Sequence, residues 1–333
     1  MLIDIGRLRR RLKIWGSDLE KVPVIGKLIR KSKTFSLPGF QHIPIYNVMD
    51  FFFQSMGKGI VFQRSAALTY RIFAALIPMV IAFFSVISFL GAGVHESIFS
   101  MLQSLIPTYA WPAVEEVITG VVIQQNGTLS ALMFVLGIYF TILCCNGLLA
   151  ATNVSYLNDE RRSFPKQLLL SAAIMIIVFF VMLTVAGVFI VSSVILNDIH
   201  NSVQASEKLY TSIVHVVKWV ITYAALYFLI SILYYLSPVH KKHYRFFSAG
   251  SSTATILMVI LLWVLNLFFR NFSNYNLIYG SLGALFGVLL WINWSSLIFL
   301  IGFELNISIA KAKEKAIENG SNEAEEIIKI IQQ

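Results

Sequence analysis

The chain has 333 residues, of which 57% are hydrophobic and only 13% are charged, and its mean hydropathy is +0.74. This apolar content exceeds what one soluble core can bury, so the composition excludes an ordinary soluble enzyme and indicates a protein that uses a bilayer as solvent. The formal net charge of +9 shows that the remaining polar surface is strongly basic.

The amino-terminal 33 residues predict an amphipathic basic helix that lies on the membrane surface. Ten Lys and Arg occur in this segment. Apolar residues recur at three- and four-residue steps, at Leu2, Ile5, Leu8, Leu12, Trp15 and Leu19. Such a helix suits the anionic cytoplasmic leaflet, where each cation contributes about 1 kcal/mol; a solvated basic tail is the alternative. No apolar core with a cleavage site follows, so we do not expect a removable signal peptide.

Six long apolar runs predict six transmembrane helices, so the fold class is all-α, a polytopic membrane protein. A spanning helix needs about 20 mostly apolar residues. The runs are at 66–92, 129–152, 167–196, 213–236, 246–269 and 280–309. We therefore expect a cytoplasmic or interfacial region at 1–64, a transmembrane domain at 65–310 and a cytoplasmic tail at 311–333.

The Lys and Arg residues between these runs predict the orientation, because cytoplasmic loops carry the excess of cations. Twelve cations precede residue 65, and ten more lie in the second-to-third and fourth-to-fifth connections and the tail. The first-to-second connection, 94–128, has none. Both termini are therefore predicted to be cytoplasmic. The 94–128 loop is predicted to be periplasmic, with two short amphipathic helices that lie on or cap the bundle.

Five stretches of the chain carry a family resemblance. They are SAALTYRIFAALIP at 65–78, LLAATNVSYLNDERRSF at 148–164, FSNYN at 272–276, YGSLGALFGVLLW at 279–291 and GFELN at 302–306. In order and spacing they resemble the YihY/BrkB family of bacterial inner-membrane proteins, some of which carry a virulence-factor label and others an old ribonuclease label. The resemblance implies six transmembrane helices in the inner membrane, but it does not imply a settled activity.

Two charged residues that lie near the cytoplasmic ends of predicted spans are candidates for a functional site. They are Arg71 in the first span and Glu304 in the last. A charge at the centre of a spanning helix costs about 2.5–3.5 kcal/mol, so it usually has a partner or a task. The two residues could form a pair that lines a pathway. Alternatively, Arg71 reaches the headgroups and Glu304 serves local packing. The resemblance assigns no role to Arg71, because many members are expected to have an uncharged residue there.

Uncharged polar residues in the spans are a second group of candidates. Asn293 shares a face of the last helix with Glu304, while Asn146 and Asn266 lie on the second and fifth spans. Interhelical hydrogen bonds are one interpretation of these residues. A shared polar cavity is the other.

Small residues and one proline predict how the helices pack. Gly283 and Gly287, and likewise Gly250 and Ala254, form small-xxx-small pairs that allow close helix contact. Homodimerisation through such a pair is an alternative. Pro78 is expected to kink the first span, because proline removes an intrahelical hydrogen bond.

No motif points to catalysis. The histidines lack metal-ligand spacing, and neither a GxSxG elbow nor a GxxxxGK phosphate loop occurs. Cys144 and Cys145 are adjacent in an apolar run and are interpreted as packing residues. We therefore expect no catalytic residue, metal, cofactor or nucleic-acid partner, and we disfavour a nuclease.

Two functions fit the sequence. One is a transporter or exporter of a lipid or another envelope component, because six spans carry polar groups and the amino terminus faces lipid. The other is a scaffolding protein of the envelope, in which polar groups only hold helices together. Membrane lipids are the expected partners in both.

Overall fold

The structure is a computed structural model, which describes a defined part of the chain. The described residues are 43–56, 60–87, 99–104, 106, 111–112, 115, 119, 127–153, 162–202, 207–238, 246–271 and 281–331. Every long element within these ranges is an α-helix, which confirms the all-α fold class. The basic segment at the amino terminus lies outside the described residues.

Seven helices follow one another along the described chain. They are α1 (Ile45–Met56), α2 (Ile60–Ile87), α3 (Gly127–Asn153), α4 (Phe164–Ser202), α5 (Glu207–Leu236), α6 (Ala249–Asn271) and α7 (Ser281–Ile331). All except α1 contain one of the six apolar runs, or most of it.

Five of these helices are long and apolar enough to span a membrane, judged over the described residues. The candidate spans are Phe134–Asn153, Phe164–Ser192, Thr211–Leu236, Ala249–Phe269 and Leu285–Glu318. The remaining predicted span, 66–92, overlaps most of the 28-residue helix α2. The structure therefore supports five spans, and the sixth stays a prediction.

The chain divides into two compact units, and the larger contains Gly59–Phe303. In this unit α2 packs along α3, α4 packs on both α3 and α5, and α6 packs on α5. The first part of α7 packs on α2, where Val288 and Ile292 are buried against Ile72 and Leu76.

A close three-helix contact forms where α7 meets α5 and α6. A Cβ atom at Gly302 would lie 2.5 Å from the Tyr234 hydroxyl, 2.8 Å from the Gly250 carbonyl oxygen and 2.9 Å from the Ala254 Cβ. Real Cβ contacts are essentially never this short, so only glycine fits at position 302 without a shift of its neighbours. Gly250, one of the predicted packing glycines, lies in this junction.

Part of the connection between α2 and α3 packs on the side of α4. Residues 99–104 are helical, and Met101, Leu102 and Trp111 are buried in one cluster with Ala186 and Phe189. Most of the second predicted helix of this loop lies outside the described residues.

The smaller unit contains Met1–Lys58 and Glu304–Gln333. Its described parts are α1 and the end of α7. The Ser55 hydroxyl contacts Glu304, while the Lys315 ammonium lies 5.7 Å from the centre of the Phe51 ring. These two contacts show that α1 runs antiparallel to α7.

Candidate functional site in the membrane helices

Arg64 is bound to the end of a neighbouring helix. Its Nε donates a hydrogen bond of 2.6 Å to the backbone oxygen of Ala151. Ala151 is among the last four residues of α3, whose carbonyl groups have no partner within their own helix. The side chain is only 8% exposed. Arg64 therefore satisfies an orphan carbonyl and places a positive charge at the negative end of the α3 dipole.

Arg162 satisfies carbonyl groups at the end of α5 in the same way, with three hydrogen bonds. Its guanidinium donates to the backbone oxygens of Leu236 at 2.9 Å, Ser237 at 3.0 Å and Pro238 at 2.6 Å. Partial burial lowers the pKa of this guanidinium, because desolvation penalises its charge. The sequence marks Arg162 only as one of several cytoplasmic cations, and no local pattern predicts this contact.

Arg71 lies seven residues after Arg64 on α2, so the two side chains project from nearly the same face. Gly147 of α3 provides the space for it. A Cβ at Gly147 would collide with the Arg71 Cδ and would lie 2.9 Å from Nη1. Arg71 is exposed, and the described residues of the larger unit offer its guanidinium no carboxylate within ion-pair distance.

Two of the three predicted asparagines make hydrogen bonds between helices. The Gln167 amide of α4 donates to the Asn146 side-chain oxygen at 2.5 Å. The Asn293 amide of α7 donates to the Thr69 hydroxyl of α2 at 3.2 Å. Asn266 is exposed on α6, and the structure does not bring it to the other two.

Glu304 is fully buried in the smaller unit. The Ser55 hydroxyl donates to its Oε2, and the Ser308 hydroxyl donates to its backbone oxygen at 2.7 Å. Sequence analysis placed Ser55 only within the cytoplasmic or interfacial region 1–64, so it missed this partner. The proposed pair of Glu304 with Arg71 joins residues of different units and stays a prediction.

Lys218 is a third charged residue in a spanning helix, and sequence analysis overlooked it. Its ammonium lies 4.7 Å from the centre of the Phe189 ring and 5.9 Å from that of the Trp219 ring. Aromatic faces attract a cation at these distances. The sequence alone could have identified Lys218 as a candidate, because it is a charged residue inside the apolar run 213–236.

The sequence profile of the family described as Virulence factor BrkB matches residues 52–327. The chain belongs to this family. It is an integral membrane protein, and the resemblance found in its five stretches is confirmed.

Curated relatives of this BrkB-family chain span most of its length. The ribonuclease-like protein YfkH of Bacillus subtilis is 25% identical over 257 residues, which are 77% of this chain and 93% of YfkH. A UPF0761 membrane protein of Haemophilus influenzae is 26% identical over 259 residues, 76% of this chain and 91% of its own. A UPF0761 membrane protein of Mannheimia succiniciproducens is 25% identical over 252 residues, 73% of this chain and 82% of its own. No solved structure matches.

The other residues singled out in the sequence of this BrkB-family chain are Pro78, Gly283 and Gly287. Helix α2 continues through Pro78, and its kink stays a prediction. Gly287 is buried on α7, whereas the surroundings of Gly283 lie outside the described side chains. Among the described residues, no three His, Cys, Asp or Glu side chains are placed to hold a metal ion.

Proposed function

We propose that this BrkB-family protein transports or exports a lipid or another amphipathic component of the cell envelope. In this proposal it lies in the bacterial inner membrane with both termini in the cytoplasm, it performs no catalytic step, and its amino-terminal basic segment binds the anionic leaflet. The ribonuclease-like name of YfkH belongs to that protein and does not enter the proposal.

The observation that carries the proposal is a pair of buried hydroxyl groups, one on α5 and one on α7. Ser231 on α5 is 0% exposed and Ser296 on α7 is 2% exposed. Neither hydroxyl has a hydrogen-bond partner among the described residues. Each lies three residues before a member of one aromatic contact, since the rings of Tyr234 and Phe299 are 4.9 Å apart. The two hydroxyls therefore belong to the same level of the bundle.

An unmade hydrogen bond of a buried hydroxyl costs about 1–3 kcal/mol. A protein that only holds its helices together gains nothing from two such groups at one level. A protein that passes an amphiphile gains two polar groups that water or substrate can meet when the helices move apart. The competing scaffold function is favoured by the paired contacts, such as that of Gln167 with Asn146, which need no ligand.

The test is lipid movement in vesicles that contain the purified chain. A fluorescent phosphatidylglycerol is placed in both leaflets, and dithionite added outside then bleaches the outer leaflet. If the protein moves lipid, inner-leaflet fluorescence is also lost, faster than in protein-free vesicles. An equal rate with and without protein, together with no amphiphile in the mass spectrum of protein purified from native membranes, would refute transport.

Two serine variants distinguish a transporter from a scaffolding protein. Ser231→Ala and Ser296→Ala should leave thermal stability equal or higher, because they remove an unsatisfied group, yet both should slow lipid movement. The matched control is Ser192→Ala, since this buried hydroxyl donates to the Phe189 carbonyl at 2.9 Å. It should lower the free energy of unfolding by about 1 kcal/mol and leave the transport rate per folded protein unchanged. Unchanged transport in the first two variants would remove the hydroxyls from the pathway.

A further inference from the structure

We infer that Arg71, seated against Gly147, binds the phosphate group of an anionic amphiphile at the cytoplasmic side of the larger unit. This inference rests on the proposed function and names the chemical class of its substrate.

The position of Arg71 along α2 fits a phosphate group. The predicted span begins at residue 66, so the Arg71 backbone lies about 8 Å inside it at 1.5 Å per residue. A long arginine side chain at this depth can reach the level of the lipid headgroups. The headgroup phosphates of the cytoplasmic leaflet are the anions found there.

The described residues of the larger unit supply no counter-charge to Arg71. The described residues of Gly59–Phe303 place no carboxylate within ion-pair distance. Arg64 projects from the same face, and its backbone lies about 10 Å away along the helix axis, seven residues at 1.5 Å each. Two cations on one face favour an anion between or beside them. A planar guanidinium matches the oxygens of phosphate with two parallel hydrogen bonds.

Gly147 fixes where the guanidinium lies. Glycine at this position leaves room for the Arg71 stem and Nη1, and one added methyl group would occupy that room. The substitution Gly147→Ala therefore displaces the guanidinium while it keeps the charge in the protein. This variant tests a built site, because a general attraction between basic protein and acidic lipid would survive it.

The experiment measures phosphatidylglycerol bound to the full-length chain in detergent by native mass spectrometry, with phosphatidylcholine as the reference lipid. The variants are Arg71→Ala, Arg71→Lys and Gly147→Ala. The matched control is Gly187→Ala on α4, where a new Cβ meets nothing within 4 Å. Losing a charge-assisted hydrogen bond should weaken affinity about tenfold or more in Arg71→Ala and Gly147→Ala. Arg71→Lys should lose less, and Gly187→Ala should match the native chain.

The possible outcomes distinguish a lipid phosphate from a soluble phosphate, and they distinguish lipid binding from lipid transport. If soluble glycerol phosphate binds as tightly as phosphatidylglycerol and with the same dependence on Arg71, the anion site stands and its ligand is a soluble phosphate. Equal lipid binding by all variants and the native chain would overturn the inference. If binding follows the expected pattern but vesicles show no lipid movement, the transport proposal fails and the binding site remains.

Discussion

Replacing Gly302 by alanine should destabilise the larger unit, although glycine-to-alanine changes usually stabilise a helix. In an open helical position the change gains about 0.5–1 kcal/mol, because alanine loses less conformational freedom on folding. At position 302 the new Cβ meets three groups at 2.5–2.9 Å. The sign of the effect therefore depends on whether those groups can move.

The groups that a Cβ at position 302 would meet cannot move easily. The Gly250 oxygen is backbone, and the Tyr234 hydroxyl is held by a hydrogen bond of 2.6 Å to the Phe299 carbonyl. Overpacking of this kind costs about 1–3 kcal/mol. Loss of the tyrosine hydrogen bond adds about 1 kcal/mol. After the helix gain is subtracted, we expect a net loss of about 1–3 kcal/mol in the free energy of unfolding.

Thermal unfolding in detergent, followed by tryptophan fluorescence, measures this loss. The control is Gly187→Ala, which enters open space and should gain about 0.5–1 kcal/mol. Adding Tyr234→Phe to Gly302→Ala removes the atom at the shortest contact and should recover part of the loss. If Gly302→Ala proves as stable as Gly187→Ala, the three-helix junction is looser than these distances imply and the reasoning is wrong.

Charge and topology determine the expected behaviour of the α5 cap, the membrane orientation, RNA cleavage and the Arg71–Glu304 pair. Arg162→Ala should lower the free energy of unfolding by about 2 kcal/mol, since the end of α5 loses its cap; a loss below about 0.5 kcal/mol would refute the capping role. With the two native cysteines replaced, a cysteine at Ser97 should react with an impermeant thiol reagent in intact spheroplasts, and one at Ser163 should react only after permeabilisation; the opposite pattern would reverse the orientation. The purified chain should cleave no RNA, and cleavage that persists through stringent purification would contradict the non-enzyme proposal. The pair of Arg71 with Glu304 that the sequence suggests is an alternative to the phosphate site. If the two side chains are coupled, the double alanine variant should lose less stability than the sum of the two single variants, whereas additive effects would exclude the pair.

The positions of the helices could be predicted from the sequence, because apolar run length is a local property. The predicted run 129–152 differs from α3 by two residues at its start and one at its end, and the run 213–236 ends with α5 but begins six residues after it. The last run was expected to end at 309, where apolar residues become sparse, yet α7 continues to Ile331. Its tail is rich in Ala, Lys and Glu, which favour helix without needing the membrane.

The candidate site was only partly predictable, because its key contacts depend on which helices are neighbours. Gly147 looks like any glycine in an apolar run until α2 places Arg71 against it. Ser55 gains its role only from Glu304, which is 249 residues away in the sequence. Lys218 is different, since a charge inside an apolar run is visible without any structure.

The arginines that set the predicted topology also complete the fold. Helices α3 and α5 both end on the side predicted to be cytoplasmic, and each leaves carbonyl groups without partners at that end. Arg64 and Arg162 donate to those carbonyls. A cation that donates to these carbonyls therefore serves orientation and capping together. The two roles have different chemical requirements. Any cation counts toward orientation, but a guanidinium that spans three carbonyls cannot be replaced in kind by an ammonium, whose charge is a compact point. The choice of Arg over Lys at the end of α5 is therefore explained by the fold, because Arg162 donates to three carbonyls there.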